Sequence, residues 1–288
     1  MDGTPIPLAI REERFEAAPG ISLYARSWVL PHGTAKAAVA IVHGFGEHCT
    51  RYDHVAARLN AEGYDVYSHD HRGHGNSPGL MGYIPSFDAL VDDFGVFLSR
   101  VRAQIGGLPL FAIGHSMGGL ILASRIVRHQ EKFQGAVFSS SGLKVGADVS
   151  PVLQRVSGIL AVILPKVPVH TLDPKAISRI PGEVRKYEED PLVYHGKFLA
   201  KTGHELLRAV TAVQGRLNEI RLPFLAMHGS ADRLVEVEAS RMLHERAAST
   251  DKSLLVYEGA FHEVFNDLDR ERFFRDMIDW LNARRGPA

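Results

Sequence analysis

The chain has almost no cysteine, no surplus charge of either sign and no long apolar stretch, and each shortage narrows what it can be. A single cysteine, Cys49, in 288 residues excludes an internal disulfide and fits a reducing compartment. Lysine plus arginine and aspartate plus glutamate number 33 each, with no long block of either sign. That balance argues against nucleic acid as a partner, because such binding draws on clustered positive charge. No apolar run approaches the ~20 residues needed to cross a bilayer. The opening MDGTPIPLAIREERF lacks a basic segment followed by an apolar one, so no secretory signal is expected and a cytoplasmic location is. Internal repeats and low-complexity segments are missing too. What remains is 45% hydrophobic and 23% charged residues, the profile of a globular protein with a substantial core.

Short β-rich runs alternate with longer helical patterns. LAIREERFEA and ISLYARSWVL, separated by APG, read as an antiparallel pair. AAVAIVHGF, YDVYSHD, PLFAIGHS, GAVFSSSG, PFLAMHG and SLLVYEG read as further strands. Between them Tyr52, Val55, Ala56 and Leu59 fall on one helical face, as do Leu90, Phe94, Phe97, Leu98 and Val101. MGGLILASRIVRHQ, EASRMLHERAA and a last segment with Phe274, Met277, Ile278 and Leu281 on one stripe complete the helices. This alternation implies an α/β fold: a mostly parallel sheet with helices on both faces. Residues 143–217 break the rhythm. They are proline-rich, hold no convincing strand, and include GILAVILP, apolar on every side of a helix. The expectation is a core of residues 1–142 and 218–288, with 143–217 inserted as a helical cap over the sheet's carboxyl edge.

GHSMG, residues 114–118, matches the G-x-S-x-G pattern of a nucleophile elbow, with a strand before it and a helix after. Such a turn forces its apex into strained backbone, and the flanking glycines remove side chains that would clash. Ser116 then needs a base and a group to orient it. In a doubly wound sheet working residues project from loops at the carboxyl ends of strands. His262 follows the last strand in EGAFH, and Asp232 follows the preceding one in HGSAD. The order Ser, Asp, His is the one this fold expects. His54, His129, His204 and His244 lie within helical patterns and read as solvent-facing or helix-end residues. Oxyanion donors are expected from the Met117 and Phe45 N–H groups, the latter in HGFGEH. No phosphate-binding glycine pattern occurs there. His69, Asp70, His71 and His74 cluster in SHDHRGHGNS, but without a matching cluster elsewhere they read as a loop braced by Asp70 and Arg72, not as a metal site. No cofactor is called for.

HGFGEHCTRY, DHRGHGNS, GHSMGG, DPLVY, HGSADRLV and YEGAFHEVF together resemble the monoglyceride lipase group of the α/β-hydrolases, lysophospholipase-like bacterial members included, over nearly the whole chain. The resemblance implies an eight-stranded α/β-hydrolase sheet, a triad of Ser116, Asp232 and His262, and oxyanion donors at Phe45 and Met117. It also implies that Glu47 and Arg51 lie at the polar end of the pocket, where the family binds a glycerol head; an ion pair bracing the loop is the competing account. Some members carry a second histidine three residues beyond the catalytic one. Phe265 stands there in this chain, so head-group recognition does not carry over in full.

These readings converge on a serine hydrolase whose substrate is a small lipid ester, a monoacylglycerol first. A lysophospholipase, a short-chain or aromatic esterase, a peptidase, and a non-catalytic ligand receptor on the same scaffold remain as alternatives. The apolar segment VLQRVSGILAVILPKVPV suits a lid that touches membranes or micelles while lining an acyl channel, with Leu160 and Ile163 as contact residues. A helix buried on its own domain is the other account of it. Oligomeric state is not legible.

Overall fold

The structure is a computed structural model that describes residues 9–129, 132–144 and 151–286. Leu8 at the start of the first expected strand, Gln130 at the end of the elbow helix, and 145–150 of the expected cap lie outside the described residues.

In chain order the elements are β1 (Ala9–Ala18), β2 (Ile21–Val29), β3 (Ala37–Val42), α1 (Asp53–Ala61), β4 (Tyr64–His69), α2 (Phe87–Gln104), β5 (Leu110–His115), α3 (Met117–His129) and β6 (Gly135–Ser139). They continue with α4 (Pro151–Ile163), β7 (Pro168–His170), α5 (Pro181–Glu189), β8 (Phe198–Leu199), α6 (Ala200–Gln214), β9 (Phe224–Gly229), α7 (Glu238–Arg246), β10 (Lys252–Tyr257) and α8 (Arg270–Asn282). Eight strands form one sheet in the order β1-β2-β4-β3-β5-β6-β9-β10. β2 runs antiparallel to β1 and β4, and every other pairing is parallel.

Strand composition explains this order. β3, β5, β6 and β9 are buried along their whole length and occupy the centre, where both faces are covered. β1 is largely exposed and takes the edge. One face of the sheet meets α2, α3 and α7 through residues such as Leu90, Phe94, Leu98, Ile121 and Leu243. The other meets α1 and α8 through Val55, Leu59, Phe273, Met277 and Leu281.

Between β6 and β9 the described residues include the helices α4, α5 and α6. α6 buries Ala209, Val210 and Val213 in the same apolar cluster as the sheet, so this insertion sits firmly on the core. The sequence showed no strand here, yet β7 and β8 pair antiparallel. Elements of three and two residues are too short for alternation to register, and Pro168 opens the first of them. The insertion also binds the segment after β10. His262 N–H donates to Ala176 O at 3.4 Å, Glu263 N–H to Ile177 O at 2.8 Å, and Ser178 Oγ to Asn266 O at 2.7 Å.

Candidate active site

Ser116 closes β5 and opens onto α3 with φ of 52°, a left-handed value rare for a residue with a Cβ. Its surroundings leave no slack. A Cβ on Gly114 would meet Gly118 O at 2.7 Å, and one on Gly118 would overlap Val42 O. The Ser116 N–H donates to Ser139 O at 3.0 Å, and its carbonyl accepts from Gly119 and Gly142 N–H at 3.0 and 2.9 Å. The serine is thus fixed by neighbouring strands, and its side chain lines a cavity of about 440 Å³.

Asp232 and His262 reach the same edge from the loops after β9 and β10. His262 Nδ1 donates to Asp232 Oδ2 at 2.7 Å. The other carboxylate oxygen, Oδ1, accepts from Leu234 and Val235 N–H at 2.8 and 3.0 Å. Burial opposes charge on both groups, but the pair overrides it: Asp232 is held well below the usual carboxylate range, and His262 is raised above the ordinary histidine value. Neighbouring His115, with ring centroids 4.8 Å apart, is pushed down to about 3 by burial and by His262, so it stays neutral. Ser116 and His262 line one cavity together with Phe45 and Met117.

The loop after β3 runs directly against the serine. A Cβ on Gly44 would sit 3.1 Å from Ser116 Cβ. His43 Nε2 accepts the His71 N–H at 3.1 Å, which leaves the hydrogen on Nδ1 to donate to Gly44 O at 2.8 Å. Because Gly44 C=O and Phe45 N–H belong to one trans peptide, anchoring the first aims the second the opposite way. Among the described residues the Phe45 N–H has no acceptor. Met117 opens α3, so its N–H has no partner within the helix.

Glu47 and Glu263 line the cavity's polar end. Arg51 lies behind them and is not part of the lining. It donates to Glu47 at 2.6 Å and to both oxygens of Glu263 at 2.8 Å, and its guanidinium lies 4.8 Å from the Tyr187 ring centroid. Burial pulls the Glu263 carboxyl up, but Arg51 outweighs it and holds it at about 2. Glu47 Oε1 accepts from Gly44 N–H and Tyr52 Oη at 2.6 and 2.8 Å. The ion pair between Glu47 and Arg51, the competing account of these residues, is therefore present, and a second glutamate that the sequence reading did not single out completes it. Phe265 packs edge-on to His115 at 5.0 Å and serves as core.

The apolar end is lined by Leu160, Leu172, Leu206, Leu207 and Val210. Ile163 is a correction: it is 69% exposed on the outer face of α4 and does not line the cavity. Ile163 is the last residue of α4, and of the two residues expected to contact substrate only Leu160 lines the cavity. His204, read as a bland helical histidine, does line the cavity, with Nδ1 3.0 Å from Ser157 Oγ. Its signal in the sequence was weak because α6 carries polar residues on several sides. Asp70 braces the histidine-rich loop as expected, accepting from Cys49 and Asn76 N–H at 2.7 and 2.8 Å. Arg72 instead pairs with Asp93 on α2 at 2.5 Å. Among the described residues no group of histidine, cysteine and acidic side chains could hold a metal ion.

A family profile described as serine aminopeptidase, S33 matches residues 33–269. A monoacylglycerol lipase of Mycolicibacterium smegmatis is 36% identical over 94% of this chain and 96% of its own length. Human monoglyceride lipase is 33% identical over 94% of this chain and 90% of its own. The crystal structure of a monoacylglycerol lipase from Paleococcus ferrophilus matches with a TM-score of 0.81 at 32% identity, covering 91% of this chain and 99% of that one.

Proposed function

This chain belongs to the monoglyceride lipase family of the α/β-hydrolases, and on that premise we propose that it hydrolyses monoacylglycerols to fatty acid and glycerol through an acyl-serine. The carrying observation is one cavity lined by the strained Ser116, by His262 bound to the buried Asp232 carboxylate, and by Phe45 and Met117.

In this reading His262 takes the Ser116 proton as the hydroxyl attacks the ester carbonyl, and Asp232 stabilises the resulting imidazolium. The Phe45 and Met117 N–H groups bind the oxyanion. His262 then protonates the departing glycerol and later activates water against the acyl-enzyme. The glycerol lies toward Glu47 and Glu263, whose oxygens accept its hydroxyls; Arg51 holds the Glu263 carboxyl low, while burial and the neighbouring Glu263 raise that of Glu47. The acyl chain lies along Leu160, Leu207 and Val210. Residues 143–217 act as a cap. On its outer face Ile159, Val162, Ile163 and Leu164 are 63, 80, 69 and 51% exposed, a surface suited to lipid aggregates. No helix among the described residues is long and apolar enough to cross a membrane, so such contact is peripheral.

Release of N-terminal amino acids would need an acidic subsite for the substrate ammonium, and aminoacyl anilides decide that alternative. The test is an acyl-chain series of monoglycerides beside matched p-nitrophenyl esters, lysophospholipids and aminoacyl anilides. Monoglycerides should lead by kcat/KM, and Ser116→Ala should lower turnover by roughly 10⁴-fold or more. Near-normal turnover by that variant, or anilides outpacing esters, overturns the reading.

A further inference from the structure

Asp232 is held by more than the histidine of the proposed reaction. His228, at the end of β9 and fully buried, places its Nε2 3.1 Å from Asp232 Oδ2 and 3.0 Å from Val235 O. Both neighbours only accept, so Nε2 carries a hydrogen. Its other nitrogen, Nδ1, lies 2.7 Å from Ser240 Oγ on α7, where the hydroxyl donates to it. The carboxylate therefore meets two backbone N–H groups on Oδ1 and two imidazoles on Oδ2, and every hydrogen-bonding atom of His228 is accounted for.

We propose that His228 is a positioning residue for the reaction, fixing the Asp232 carboxylate so that Oδ2 stays presented to His262. It rests on the triad roles proposed above and adds to them a residue that never touches substrate. The geometry has a consequence for proton affinity. Two imidazoles share one oxygen, so the N–H from His228 draws off part of the negative charge that would otherwise hold the proton on His262. The other groups facing His262 are Glu263 on its own loop, Glu47 beyond β3 and His115 at the end of β5, with Arg51 compensating the glutamates. The polar partners of His228 are Ser240, Val235 and Asp232, so its replacement removes no hydrogen bond or ion pair of those groups.

The variants are His228→Leu, His228→Gln and His228→Asn, assayed on a soluble p-nitrophenyl ester across pH. A glutamine amide nitrogen falls near the place of Nε2, whereas that of asparagine falls near Nδ1. The leucine variant should lose about 10- to 100-fold in kcat/KM, chiefly in kcat, because the carboxylate is free to turn. Its acid limb should move up by roughly half a pH unit or more as His262 holds its proton more tightly. Glutamine should restore both kcat and the wild-type limb, and asparagine should resemble leucine. Equal pH profiles for wild type, glutamine and asparagine variants overturn the proposal. If the leucine variant does not fold, the glutamine–asparagine comparison decides alone. Loss of ester hydrolysis in the wild type would instead strike the functional reading, which keeps the two failures distinct.

Discussion

Ser140 sits just past β6 with φ of 43°, a second left-handed residue beside Ser116. Its N–H donates to Met227 O at 2.9 Å and its Oγ to the His262 carbonyl at 2.8 Å. A serine kept where glycine would be at ease costs on the order of 1 kcal/mol, and the tether to the histidine loop is what that strain retains. Ser140→Gly removes strain and tether together; Ser140→Ala removes only the tether. Both should lower kcat about tenfold with KM nearly unchanged, since a small misplacement of the base is enough, while glycine should raise thermal stability and alanine should not. Wild-type kcat in the glycine variant would show that only backbone conformation matters here. Ser116, Asp232 and His262 were legible because each follows a recognisable strand by a short loop in a known order. Ser140 and His228 were not. SSSG and MHG look like ordinary strand ends, and only the register of β6 and β9 turns their side chains toward the loops that follow β9 and β10.

The central strands were legible for a related reason: continuous apolar runs such as AAVAIV have no place but the middle of a sheet covered on both faces. α4 shows where that logic stops. Apolar residues all round a helix give no phase, so the sequence could not say which side faces inward. Packing against α6 settles it, burying Ala161 and turning Leu160 to the cavity while Val162 and Ile163 remain exposed. The two roles can therefore be separated on one helix. Val162→Glu with Ile163→Glu removes apolar surface that, even half inserted, is worth about 1 kcal/mol per residue. Hydrolysis of vesicle-borne monoglyceride should fall by roughly tenfold or more, with kcat/KM on a short soluble ester unchanged. Leu160→Glu should impair both assays, because it charges the channel itself. Equal losses of both activities in the outer-face double variant would refute lipid contact through this helix.

Across the whole molecule, acid stability follows from how many histidines are kept neutral. His43, His69, His71, His74 and His115 are all buried. Burial pushes His69 and His115 to about 3 and His74 to about 4, and it holds His43 and His71 well below the ordinary value. An unfolded chain titrates such groups near 6.5. Below that pH the unfolded state binds protons that the native state refuses, so their contribution is full above about 6.5 and lost as pH falls toward the folded values. Asp232 and Glu263, with depressed carboxyls, act in the same direction below about 4. His262, raised, has the opposite sign: its contribution is full below 6.5 and is lost as pH rises through its folded value. Each neutral histidine removes about 1.4 kcal/mol per pH unit in that window. Several together exhaust a typical stability of roughly 5–15 kcal/mol within about two units. Unfolding followed by far-UV circular dichroism should therefore have its acid midpoint between about pH 4 and 5.5. His69 offers the sharpest check. Among the described residues neither of its ring nitrogens has a hydrogen-bond partner, and its ring lies among Phe15, Phe94 and Phe97. His69→Leu removes one proton-binding group from the unfolded state and two unpaired nitrogens from the core. It should lower the acid midpoint while leaving stability at pH 7.5 equal or higher. An unshifted midpoint would mean that acid unfolding is governed by groups other than these histidines.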